Sequence, residues 1–121
     1  MADWSVKITR GPGGKIVYQA QLQPDDPPGT LYTSPGDTVS WNNQCGSKRQ
    51  PTLTQINGSP ATPGAQGTPL YLSDPIANGH SSRPSWVAPK TPDPGTYTYV
   101  SSGHTSETGV IIVQSPPKPG S

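Results

Sequence analysis

Cysteine is almost missing from this chain. Cys45 stands alone, so no disulfide can close within the molecule and the disulfide-rich secreted scaffolds are excluded, although a compartment is not thereby fixed. Phenylalanine is absent, and Leu, Ile and Val together supply only 18 of 121 residues. Charged residues make up 12% of the chain and the net charge is +1, so no long-range field exists to recruit nucleic acid or an anionic membrane. The longest apolar runs, such as residues 110–113, fall far short of the roughly 20 residues that a membrane span needs. Residues 1–10 alternate rather than forming the long apolar centre of a signal peptide, so no signal peptide is visible, and a leader already cleaved stays open as an alternative. No helical period exceeds one turn, and no internal repeat is present.

Proline and glycine are abundant, at 17 and 14 residues, a content that by itself suggests low complexity. Two features oppose disorder. The charge content is low, and the apolar residues fall in alternating clusters that include three Trp and five Tyr. Aromatic and β-branched residues can build a core with little leucine. The length suits one domain with a thin core and moderate stability.

The alternation predicts strands. Trp4, Val6 and Ile8 alternate with polar neighbours, and a Gly-Pro-Gly-Gly turn at residues 11–14 follows. Residues 15–22 put Ile16, Tyr18, Ala20 and Leu22 on one face, and residues 23–29, with three prolines and two aspartates, read as a loop. The Pro35-Gly36-Asp37 turn launches a strand in which Asp37, Val39 and Trp41 share a face. Residues 42–50 are polar and aperiodic, and residues 51–56 return to β-compatible composition. A Gly/Pro/Ser/Thr-rich excursion spans residues 57–69. It contains Asn57-Gly58-Ser59, a glycosylation sequon of a kind that chance often produces. Short strands are expected at residues 70–72 and 85–88, with a polar connection over residues 73–84 between them. Residues 89–94 form a proline turn. Residues 95–101 make a strong strand that sets Thr96, Thr98 and Val100 opposite Tyr97 and Tyr99, and residues 109–114 close the domain. About eight short strands separated by turn signals indicate a sandwich or barrel. The domain is expected over residues 1–114, followed by a Pro-rich tail over 115–121 that reads as a linker or a polyproline ligand.

Two stretches carry a family resemblance. Pro35-Gly36-Asp37-Thr38-Val39-Ser40-Trp41-Asn42-Asn43 resembles the strand preceding the first copper histidine of the plastocyanin-like cupredoxins. Pro94-Gly95-Thr96-Tyr97-Thr98-Tyr99-Val100 resembles the strand that delivers their copper cysteine, and Val110-Ile111-Ile112-Val113 resembles their last strand. The resemblance covers roughly residues 4–114. It implies an all-β, Greek-key, two-sheet sandwich and, by family habit, a periplasmic or secreted location.

A blue copper site needs two histidines, a cysteine thiolate and usually a weak axial methionine. By this resemblance the cysteine position is Ser101 and the following histidine is His104. The first histidine would fall near Gln50 or Pro51, and the axial methionine near Glu107 or Gly109. Only His104 survives of the four, and a neutral serine hydroxyl cannot replace thiolate.

Three other constellations are present. Cys45, His80 and His104 could meet at one pole of a sandwich and hold copper or zinc in a non-blue site for storage, transfer or sensing, although none of the usual close ligand spacings is present. Ser101, Ser102 or Ser106 with His104 and an acid such as Glu107 or Asp74 would suit a hydrolase, but neither a nucleophile elbow nor a glycine-rich oxyanion segment accompanies them. Lys48, Arg49 and Arg83 could form a basic partner surface at the same pole. The reading is a non-enzymatic cupredoxin-like module without a type 1 copper site or other cofactor, a monomer that binds an unidentified protein or small ligand. Its binding residues are expected at the pole built by residues 44–51, 80–84 and 101–108, because loops on a rigid scaffold carry binding residues. The alternative is the copper or zinc protein.

Overall fold

A computed structural model describes residues 2–21, 29–66, 68, 70–83, 85–92 and 94–115. The described residues form two mixed sheets with a single turn of 3-10 helix at Pro12–Gly14. The strands are β1 (Asp3–Arg10), β2 (Ile16–Ala20), β3 (Thr30–Thr33), β4 (Thr38–Asn43), β5 (Pro51–Ile56), β6 (Ser59–Pro60), β7 (Trp86–Val87), β8 (Gly95–Ser101) and β9 (His104–Val113). One sheet has the order β2-β1-β4-β7 and the other β3-β9-β8-β5-β6. The β1/β4 and β3/β9 pairs are parallel and the remaining pairs are antiparallel.

The alternation in the sequence sorts residues between interior and surface as a pleated strand requires. In β2, Ile16, Tyr18 and Ala20 are buried, and in β4, Val39, Trp41 and Asn43 are buried. In β8, Gly95, Tyr97, Tyr99 and Ser101 face inward. Aromatic rings take the place of missing aliphatic bulk. Tyr99 meets Tyr18 edge-on at 4.9 Å and Trp41 edge-on at 5.4 Å, while Trp86 meets Tyr97 at 5.3 Å. Such edge-to-face pairs each add about 0.5–1.5 kcal/mol beyond area burial.

Four local departures from the sequence reading have physical causes. Residues 30–33 form β3, a four-residue strand too short to show alternation, held parallel to β9. Asn57 and Gly58 have φ of 52° and 80° and make the turn between β5 and β6, so the dipeptide of the sequon match is a hairpin signal. Residues 70–72 are not a strand: Leu72 enters the core from a turn-rich segment in which Tyr71 N–H bonds the Thr68 carbonyl. Finally, β9 begins at His104, not at residue 109. Leu22, most of the loop over residues 23–29 and the tail beyond Ser115 lie outside the described residues.

Candidate functional site at the hairpin pole

Strands β4 and β8 run toward the same end of the sandwich, and β5 starts there. Register then fixes the site: Pro51 is the cross-strand partner of Ser101. The positions that the resemblance assigns to the first histidine and the cysteine are thus neighbours across one ladder. What fills them is not a metal-ligand set. Ser101 is fully buried, and its hydroxyl is hydrogen-bonded to the Tyr18 hydroxyl. Burial pushes the Tyr18 hydroxyl up to about 12; the bond to Ser101 opposes the rise, Glu107's charge adds to it and Arg49's subtracts.

The axial position is closed in two ways. A Cβ on Gly109 would lie 2.3 Å from the Tyr99 ring, so that ring occupies the space a side chain at 109 would need. Glu107 in turn is taken by Arg49. Their bond is forked, Nε to Oε1 at 2.8 Å and Nη2 to Oε2 at 3.3 Å, with only 9% and 12% of the two side chains exposed. Arg49 also donates to the Ser47 hydroxyl at 2.8 Å and the Lys48 carbonyl at 2.9 Å. A planar guanidinium with this many partners is a structural strut.

Arg49 therefore leaves the expected basic surface: it is buried and spent within the molecule, while Lys48 and Arg83 remain exposed. The segment over residues 101–108, expected as a loop, is a hairpin in which Ser101 pairs with His104 and Val100 with Thr108 around a bulge. Gly103, with φ of 79°, makes its tight turn. A paired strand alternates its side chains between faces and so cannot wrap several ligands around one point.

Cys45, His80 and His104, the trio of the alternative metal reading, differ in burial. Cys45 is buried and its thiol donates to the Ser47 carbonyl at 3.2 Å. His80 and His104 are exposed, and His104 Nδ1 stands 3.7 Å from Glu107 Oε2. Among the described residues no group of three or more His, Cys, Asp or Glu is placed to hold a metal ion. Copper needs a soft, ionised sulfur beside two imidazoles. The residues at the resemblance's four positions do not supply that set. The Ser101 hydroxyl is bonded to Tyr18, while His104, its cross-strand neighbour, is exposed.

The residue that organises this pole, Asn43, gave no signal in the sequence. It is fully buried; its Oδ1 accepts from Cys45 N–H at 3.0 Å, and its Nδ2 donates to the carbonyls of Ser47 at 2.7 Å and Ile76 at 2.8 Å. Its backbone accepts from Gly79 N–H at 2.7 Å and donates to the His80 carbonyl at 2.9 Å. One side chain thereby fastens two polar connections to the end of β4. An asparagine next to a strand end could have suggested this only to a reader who already knew which loops meet there.

No family model matches the sequence, and no curated protein matches it. Solved structures do. A purple cupredoxin from Nitrosopumilus maritimus is 21% identical, with a TM-score of 0.62 over 91% of this chain and 98% of its own. Oxidised plastocyanin from Dryopteris crassirhizoma is 18% identical, with a TM-score of 0.59 over 91% of this chain and 99% of its own. Amicyanin from Paracoccus versutus is 19% identical, with a TM-score of 0.55 over 91% and 79%. No helix among the described residues is long and apolar enough to cross a membrane. With its strand order, its register at Pro51 and Ser101 and these likenesses together, the chain has a cupredoxin-like fold, and of the four positions that the resemblance assigns to copper ligands only His104 holds a ligand of that set.

Proposed function

We propose that the chain is a non-enzymatic binding module that works without a type 1 copper centre and contacts a protein or small-ligand partner through the loops at its hairpin pole. The observation that carries this reading is the replacement chemistry in the interior. A hydroxyl pair, Tyr18 with Ser101, and a forked ion pair, Arg49 with Glu107, stand where thiolate and axial ligand would be needed. Buried polar groups that satisfy one another rigidify a site. A site already closed on itself has no open donor set for a metal, and it leaves the outer face of the pole loops for contacts.

The test is thermal unfolding of the purified chain with chelator and with added copper or zinc. Anything that binds the folded state alone raises its melting temperature. Unchanged melting in all three conditions is the expected result. A chelator-sensitive melt would overturn the reading.

A further inference from the structure

The connection over residues 74–83 is a closed loop. Asp74 N–H bonds the Arg83 carbonyl at 2.7 Å, so its ends meet. Its backbone is tied inward at several points. Ile76 and Arg49 exchange two backbone bonds at 2.7 and 3.0 Å, and Ser82 N–H reaches the Trp41 carbonyl at 2.7 Å. The Ser82 hydroxyl accepts from Trp41 N–H at 2.8 Å, and the Asn78 side chain accepts from Gly46 N–H at 2.9 Å. Compact loops with joined ends and packed interiors are frequent carriers of function.

The outer side of this loop is different. His80 and Arg83 are exposed, and neither side chain has a hydrogen-bond or ion-pair partner among the described residues. Both line a cleft of about 270 Å³ whose apolar wall is Pro75, Ile76 and Ala77. Asp74 lines it too, with its carboxylate accepting the Tyr71 hydroxyl and, among the described residues, no ion pair to His80 or Arg83. Two uncommitted donors thus stand beside an apolar wall on a loop whose backbone is already tied down, which lowers the ordering cost of binding there.

We infer that this cleft binds a singly charged carboxylate with a short apolar body. This rests on the reading of the pole as a binding surface and gives it a ligand class. The guanidinium of Arg83 presents the fork that matches a carboxylate, His80 adds a second donor, and Pro75 and Ala77 receive the alkyl part. Asp74 sets the charge preference. Its negative charge in the same cleft opposes a doubly charged phosphate more than a monoanion. The carboxylate could come from a free organic acid or from the C-terminus of a peptide, which share this chemistry.

The experiment is a nuclear magnetic resonance titration of the full ¹⁵N-labelled chain in chelator. The probes are sodium butyrate, the neutral butyramide, inorganic phosphate and the dipeptide acetyl-glycyl-valine. Butyrate or the dipeptide should move the amide signals of Ala77, His80, Ser81 and Arg83 saturably, butyramide should not, and phosphate should bind more weakly. The tighter of the two carboxylates identifies the source. Arg83→Gln should weaken binding roughly tenfold or more, a loss typical of removing a charged, forked donor, with the melting temperature unchanged. His80→Ala should weaken it less. Absence of saturable shifts, equal binding by Arg83→Gln, or tighter binding of phosphate would overturn the inference. Adding copper to the same sample separates the two ideas: copper uptake would contradict the metal-free reading and leave the carboxylate titration to stand or fall by itself.

Discussion

Trp41 and Tyr18 show at residue scale how a chain short of aliphatic bulk uses aromatic side chains, and what each choice costs. Trp41 is fully buried, yet its indole N–H has no hydrogen-bond partner among the described residues. An orphaned buried donor costs about 1–3 kcal/mol. Truncating a buried Trp to Ala costs about 3–5 kcal/mol. Trp41→Phe removes the orphan while keeping a ring against Tyr99, so urea denaturation should place it much nearer to wild type than Trp41→Ala. Equal losses in the two variants would show that the indole, not ring burial, matters.

Tyr18 gives a pH dependence with a definite sign. Its hydroxyl titrates at about 12 in the folded chain against an ordinary 10.0. The unfolded chain therefore ionises first as pH rises. The stabilisation is complete below pH 10 and is lost between 10 and about 12. Denaturation midpoints measured across that window should fall, and Tyr18→Phe should fall less steeply. A residual slope should remain, because burial also raises the Tyr97 hydroxyl.

At the scale of elements, the hairpin of β8 and β9 is the departure that changes the chemistry of the pole. Its turn and the start of β9 lie exposed on both faces, from Ser102 through Ser106. No apolar alternation marks such a segment, which is why the sequence reads it as a loop. By contrast, β4 and β8 were legible because buried and half-buried residues alternate along them without a break. β3 and β6 were not, at four and two residues. The ion pair of Arg49 and Glu107, 58 residues apart, was equally hidden: only sheet register brings the segment before β5 against β9. Both Arg49 and Glu107 were visible as residues, one read as a surface charge and the other as an empty ligand position. Removing one partner of a buried pair costs about 3–5 kcal/mol because a charge is left stranded, whereas replacing both with apolar groups is often neutral. Arg49→Met should therefore be strongly destabilised in urea, and the double variant Arg49→Met with Glu107→Leu should recover most of the loss. A double variant as unstable as the single would show that Arg49 acts through its bonds to Ser47 and Lys48 rather than through the pair.

For the molecule as a whole, the hairpin pole of the sandwich is closed by polar contacts made inside the protein, Tyr18 with Ser101 and Arg49 with Glu107. The fold was readable because its strand motifs follow in the family's order, and the loss of the thiolate was readable because one position, Ser101, carries it. The replacement was not, since Tyr18, Asn43 and Arg49 belong to three separate segments that share no motif. The most direct measurement is the visible absorption spectrum of the purified chain during titration with Cu(II). Type 1 copper owes its intense colour to a cysteine thiolate bound to the metal. With Ser101 bonded to Tyr18 and Cys45 buried against Ser47, no intense blue or purple band should appear at any copper ratio. A strong thiolate-to-copper band that saturates at one copper per chain would contradict the central claim.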